Sequence, residues 1–319
     1  MSLPNCSVAS PEVDTAVGTL LALECGLSLP GNAIALWTFF FRLKMWKPYT
    51  VYLFNLVVAD LLLSVCLPFL VAFYLNHKVW GLNHTSYQVL VFLLTLSRGV
   101  GVAFLAAVAL DRYLRVVHPR LKVNLLSPGS ARGISGLIWL LMVALTHQGL
   151  FGPKTAQNST DCPSFYPTRE SSASATWQEM FFFFQFLLPF GLILFCNTSL
   201  IRILQKRLRE SHKQPRLQRA KALVTVVLLL FVLCFLPSIL ARALVHIFRG
   251  SQSCPVWRKM VHTSDIAGSL TCLHSALNPA VYCFSNPAFT HSYRKVLSSL
   301  RGRRKAVEPP SSDLRDSYS

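Results

Sequence analysis

Residues 50–75 read TVYLFNLVVADLLLSVCLPFLVAFYL, 26 residues with a single charge, Asp60. A helix needs roughly 20 mostly apolar residues to cross about 30 Å of hydrocarbon, so this stretch is long enough to span a bilayer. Comparable stretches recur near residues 16–41, 88–116, 131–152, 178–204, 219–247 and 261–284. The sequence therefore predicts an all-α membrane protein, a seven-transmembrane helix bundle. Composition agrees: of 319 residues 52% are hydrophobic and 14% charged, with a mean hydropathy of +0.44, too apolar for an ordinary soluble domain.

Orientation follows from Lys and Arg, which short cytoplasmic loops retain. Arg42, Lys44 and Lys47 follow the first span, Arg112, Arg115, Arg120, Lys122 and Arg132 flank the end of the third, and eight more join the fifth to the sixth. Another seven, from Arg294 to Arg315, follow the seventh. The expected N-terminus is extracellular and the C-terminus cytoplasmic. A net charge of +18 raises the question of nucleic acid, but these charges are split among membrane-edge loops instead of forming one face. Anionic inner-leaflet lipid and an acidic cytosolic partner fit better. No basic n-region with a small-residue cleavage site opens the chain, so the first span is expected to act as its own insertion signal. Three glycosylation sequons, at Asn5, Asn83 and Asn158, fall in segments assigned to the outside.

Connections between spans are short, which leaves no separate soluble domain. The expected organisation is an extracellular tail over 1–15, the bundle over 16–285, an amphipathic helix over 286–300 and a cytoplasmic tail over 301–319. Phe289, Tyr293, Val296, Leu297 and Leu300 recur at helical spacing with Arg294 and Lys295 opposite, the pattern of a helix lying on the inner membrane surface.

Polar residues and prolines inside membrane spans are costly and mark function. Asn32 lies in the first span, Asp60 in the second, Asp111-Arg112-Tyr113 at the inner end of the third and Trp139 in the fourth. Pro189 interrupts the fifth, Cys234-Phe235-Leu236-Pro237 kinks the sixth, and Asn278-Pro279-Ala280-Val281-Tyr282 ends the seventh. This set, one element per helix and in this order, resembles the rhodopsin-like (class A) G-protein-coupled receptors across essentially the whole chain. The resemblance implies that Asp111 and Arg112 form a local ion pair that opens on activation. Tyr113, Phe235, Pro237, Asn278, Pro279 and Tyr282 belong by the same resemblance to the coupling and switch machinery, in which helix six swings outward. Asp111-Arg112-Tyr113-Leu114-Arg115-Val116-Val117-His118-Pro119, with Arg98 and Arg242, is similar to the hydroxycarboxylic acid and oxoeicosanoid receptors. That branch implies a carboxylic-acid ligand, a G protein of the inhibitory class, and acid binding by both matched arginines. It also implies a link from the N-terminus to the third outer loop, here Cys6 with Cys254.

The residues themselves point to an anionic ligand. Arg98 precedes Arg112 by 14 residues, close to four turns or about 21 Å, so both face inward on helix three. Its depth, roughly 15 Å, is near the bilayer midplane, where an unpaired guanidinium costs several kcal/mol. The planar fork suits a carboxylate held by two parallel hydrogen bonds. Either a ligand supplies that carboxylate or Asp60 or Glu24 does. Arg242, about 7.5 Å outward of Pro237, is either a second anchor or the partner of Asp265. Phe73, Tyr74, Phe92, Phe181 to Phe184 and Phe186 offer aromatic surface for a long acyl tail, or else face lipid. A long hydroxy fatty acid and a short hydroxycarboxylic acid such as lactate both fit, as does a constitutively active receptor. His246 and His262 near the rim either tune binding with pH or face solvent.

Several positions depart from the pattern. Tyr87 stands where most of the family have the helix-three cysteine of a bridge to the second outer loop, so that bridge cannot form, and Cys162 is left over. Phe235 replaces a common Trp, and Gly101 replaces a Ser that helps Asp60 and Asn278 hold a sodium ion. Sodium is thus the one candidate allosteric ion, and no cofactor is expected. Ser311, Ser312, Ser317 and Ser319 in the tail are candidate phosphorylation sites for arrestin recruitment. Catalysis is not expected: the histidines show no His-x-x-x-His and the cysteines no Cys-x-x-Cys spacing. No internal repeat or ring of polar residues suggests a transporter or channel.

Overall fold

The computed structural model describes residues 10–43, 46–81, 83–118, 120, 127–147, 173–210, 215–248, 253–285 and 287–307. Among these residues nine helices occur: α1 Pro11–Phe41, α2 Pro48–Leu75, α3 His84–Val117, α4 Pro128–Thr146, α5 Ala173–Glu210, α6 Pro215–Ile247, α7 Cys254–Leu270, α8 Leu273–Ser285 and α9 Pro287–Val307. Helix starts follow local chemistry. Pro11, Pro48, Pro128, Pro215, Pro255 and Pro287 stand at or beside a first helical position, where the missing N–H is not needed and φ is already set. The Asn83 side-chain Oδ1 accepts from the Ser86 amide at 2.8 Å, and the Ser127 hydroxyl from the Ser130 amide at 3.1 Å, capping α3 and α4.

Helices α1 to α4 and the Gln185–Arg209 part of α5 are long and apolar enough to cross a membrane, with a shorter apolar helix at Phe231–Ile247 in α6. The seventh span, expected to be continuous over 261–284, is broken instead into α7 and α8 by a turn at Thr271 and Cys272. Side chains compete with the helix here: Ser269 donates to the Ile266 carbonyl, Thr271 to Gly268 and Ser275 to Cys272, each using an acceptor of its own backbone. The amides of Thr271 and Cys272 accordingly bond three residues back, to Gly268 and Ser269. Pro279 cannot donate to the Ser275 carbonyl four residues earlier. That carbonyl accepts instead from the Asn32 amide of α1, at 3.0 Å.

The helices pack as a ring in the order α1, α2, α3, α5, α6, α7, closed by α1 against α7 and α8, while α4 lies outside on α2 and α3. Polar groups sit within this ring. The Ser28 hydroxyl is 2.8 Å from both the Ser64 and Ser275 hydroxyls, tying three helices together. Leu23, Leu27, Leu137, Leu140, Leu188 and Leu233 are all more than 60% exposed; such apolar surface is a liability in water but suits contact with lipid tails. Helix α9 tucks its apolar face under α1 and α8. Phe289 is buried 4.9 Å from the Phe39 ring, and the Tyr293 hydroxyl donates to the Gly31 carbonyl at 2.6 Å. Burial holds the Tyr293 phenol above its ordinary pKa, so it stays a donor.

The start of α1, the end of α2 and α7 are held together by a charge cluster. His77 and Lys78 leave α2 in the left-handed conformation, φ 52° and 64°, which carries the Lys78 ammonium to 3.1 Å from Asp14 and 2.9 Å from Asp265. Without the ammonium, two almost fully buried carboxylates would face each other uncompensated. Lys78→Met is therefore expected to destabilise the protein by about 3 kcal/mol, read as a lower unfolding temperature in detergent, and Lys78→Arg by much less. Equal stability of Lys78→Met and the unmodified protein would contradict this account.

Candidate functional site

A cavity lies between α1, α2, α3, α5, α6 and α7. Arg98 of α3 stands on its wall, with Arg242 and Ser238 of α6, Asp265 of α7, and Phe186 and Phe235 supplying aromatic surface. The sequence-predicted pair of arginines therefore shares one cavity. The Arg98 Nε donates to the Leu94 carbonyl of its own helix at 3.2 Å, and Nη1 to the Thr271 hydroxyl at 3.2 Å. Of the two internal acids weighed from sequence, neither pairs with it. Asp60 accepts from Asn278 and Tyr282, while Glu24 is buried with both carboxyl oxygens lacking a partner among the described residues. Asp265, the internal alternative for Arg242, is held by Lys78 and by the Tyr74 hydroxyl at 2.6 Å.

Below the cavity lie the residues expected from the sequence to form a switch. Phe235 packs 4.5 Å from the Phe231 ring, 5.2 Å from the His274 imidazole and 6.5 Å from Phe186, so the floor of the cavity rests on α6, two residues before Pro237. His274 reaches the Thr271 carbonyl through Nδ1, which links the turn beneath Arg98 to the next layer. There Asn278 Nδ2 and the Tyr282 hydroxyl donate to the same Asp60 oxygen, at 2.8 and 2.7 Å. Tyr282 also lies 3.3 Å from Asn32 Oδ1. The other Asp60 oxygen has no hydrogen-bond partner among the described residues, a feature a cation could satisfy. Yet the His274 Nε2 stands 3.8 Å from that oxygen and only 3.0 Å from where a Cβ at Gly101 would be. The imidazole thus fills the space of the absent serine hydroxyl, and the residues present make a poor sodium cage.

The expected Asp111–Arg112 ion pair is not formed. Adjacent helical residues do not face each other, whereas residues four apart do, and Asp111 is bonded by Arg115 at 2.9 Å. The Arg112 guanidinium lies 4.1 Å above the Tyr49 ring, a cation–π contact. Tyr113 packs between His118 and Phe195, with ring centroids 5.8 and 5.6 Å away. Trp139 donates to the Asn55 carbonyl oxygen at 3.0 Å, joining α4 to α2.

Cys254 is disulfide-bonded; Cys6 and Cys162 lie outside the described residues, as do Asn5, Asn158, the tail serines and the side chains of Phe181 to Phe184. Asn83 is exposed at the start of α3. Three contributors escaped the reading of the sequence: Thr271, which meets Arg98; His274, which fills the space beside Asp60; and Lys78, which takes Asp265. A histidine and a serine four and three residues before Asn278 were the only available signal for the second.

Residues 31–282 match the family model described as 7 transmembrane receptor (rhodopsin family). The chain is 71% identical over 319 residues, all of both chains, to the 12-(S)-hydroxy-5,8,10,14-eicosatetraenoic acid receptor of Mus musculus, and 64% identical over the same span to that of Homo sapiens. It is 36% identical over 313 residues to hydroxycarboxylic acid receptor 3 of Homo sapiens, covering 96% of this chain and 79% of that one. All are receptors by name and none is an enzyme. Ordered motifs, a closed ring of largely apolar helices and these likenesses agree, and the chain belongs to the rhodopsin family of seven-transmembrane receptors, multi-pass plasma-membrane proteins that take a small-molecule or lipid ligand and couple to heterotrimeric G proteins.

Proposed function

We propose that this receptor is activated by a long-chain hydroxy fatty acid, 12-(S)-hydroxyeicosatetraenoic acid, and lowers cAMP through the inhibitory class of G protein. The observation that carries the reading is Arg98, a guanidinium on the wall of the cavity with no carboxylate in ion-pair range among the described residues. A fatty-acid carboxylate completes its fork, and the apolar and aromatic wall takes the chain, each buried CH₂ contributing about 0.8 kcal/mol. The relatives named for that ligand support the choice of chain length. Basic loops after the first, third and fifth spans support an extracellular N-terminus and a cytoplasmic C-terminus, with arrestin recruited by the phosphorylated tail serines. No step of this reading requires sodium.

The test is inhibition of cAMP production in cells expressing the receptor, with 12-(S)-hydroxyeicosatetraenoic acid, its methyl ester, its 12-(R) isomer and lactate compared. The free 12-(S) acid alone is expected to act strongly, in a manner abolished by pertussis toxin. A lactate response without a lipid response would move the assignment to short hydroxy acids.

A further inference from the structure

Hydroxyls inside the spans are mostly satisfied by their own helix. Thr38 donates to Ile34, Ser64 to Asp60, Ser97 to Leu94, Ser135 to Ala131 and Thr198 to Leu194. Two serines on the cavity wall break this habit. Ser238 and Ser264 are 6% and 7% exposed, and neither hydroxyl has a hydrogen-bond partner among the described residues, although each has a helical carbonyl four residues back. Both line the space a ligand would fill, so a ligand hydroxyl can supply the partner each lacks.

Their depths differ. Phe235 and His274 are in ring contact across the cavity floor; Ser238 is three residues outward of the first and Thr271 three outward of the second. Ser238 therefore stands near the level of Thr271, and so of Arg98, which bonds it. Ser264 is seven residues outward of Thr271 on α7, two turns or about 10 Å further toward the mouth. An acid with its hydroxyl on the carbon next to the carboxylate keeps that hydroxyl at the inner level. Only a hydroxyl well along a carbon chain reaches the outer one.

We infer that Ser264 is a specificity residue that reads the chain hydroxyl of the ligand while Arg98 holds its carboxylate, the two being about 10 Å apart along the cavity. This rests on the reading of the ligand as a long hydroxy fatty acid. The serine hydroxyl donates to, or accepts from, a ligand hydroxyl presented on one face of the chain. That gives a physical basis for preferring one configuration: the opposite enantiomer turns its hydroxyl away from α7.

The test uses the full-length receptor in cells, with surface expression measured for each variant. Dose–response curves are compared for unmodified receptor and Ser264→Ala with the 12-(S) hydroxy acid, its 12-(R) isomer and the same tetraenoic acid lacking the hydroxyl. Losing one hydrogen bond is expected to weaken the 12-(S) acid roughly three- to tenfold, leave the deoxy acid unchanged and narrow the gap between enantiomers; Ser264→Thr, which keeps the hydroxyl, should retain most of the preference. Equal shifts for the hydroxy and deoxy acids, or no shift for either, would overturn the assignment of Ser264 while leaving the ligand class intact. An unmodified receptor silent to the 12-(S) acid would instead overturn the ligand class, and the role of Ser264 with it.

Discussion

Arg98→Ala is expected to abolish the response to the hydroxy fatty acid while the receptor still reaches the cell surface. Two charge-assisted hydrogen bonds to a carboxylate contribute about 1.5–3 kcal/mol each. At 1.4 kcal/mol per factor of ten, their loss shifts potency at least roughly a hundredfold. Stability should not fall with it. In the absence of ligand the guanidinium contacts only a helix carbonyl and the Thr271 hydroxyl among the described residues, and removing a costly membrane-buried cation relieves a desolvation penalty. Arg98→Lys keeps the charge but replaces the planar fork with a point donor, so an intermediate potency is expected. Unchanged potency of Arg98→Ala in a cAMP assay would remove the carboxylate anchor from the account.

The second large effect is expected at Asp60, and it separates stability from ligand recognition. One carboxylate oxygen accepts from both Asn278 and Tyr282, which are buried, Tyr282 completely. Asp60→Ala strands two buried donors, at about 1–3 kcal/mol each. The expected result is a clearly lower unfolding temperature in detergent and weakened coupling to the G protein, because α8 loses its tie to α2. Asp60→Asn preserves the shape and one acceptor, and its new amide hydrogens face the His274 Nε2 at the other oxygen's position; a smaller loss follows. Ligand affinity, which depends on groups nearer the outside, should change far less than coupling. If Asp60→Ala unfolds at the same temperature as the unmodified receptor, the layer is not held as described.

Much of this was legible before any coordinates. The apolar run over 50–75 and its six counterparts dictate membrane helices because hydrocarbon admits almost nothing else, and described helices cover all seven, the seventh in two pieces. The single polar residues Asn32, Asp60 and Asn278 meet in one layer, as expected of costly groups that must find one another. Depth and facing alone put Arg98 on the inward side of helix three, and it lines the cavity. What escaped depends on rotamers and on turns without a sequence signal. No glycine or proline marks Thr271 and Cys272, where serine and threonine side chains instead take up backbone acceptors, so the break in the seventh span could not be read. Partner choice among charges was equally hidden: Asp111 takes Arg115 over its neighbour Arg112, and Asp265 takes Lys78 because two left-handed residues after α2 redirect that side chain.

The central claim is that a free carboxylate on a long hydroxy acid is held by Arg98. Equilibrium binding of labelled 12-(S)-hydroxyeicosatetraenoic acid to membranes carrying the receptor, competed by the unlabelled acid and by its methyl ester, tests it most directly. The account predicts displacement by the acid, at least roughly a hundredfold weaker displacement by the ester, and loss of specific binding in Arg98→Ala. Equal displacement by acid and ester, or undiminished binding to Arg98→Ala, would contradict it.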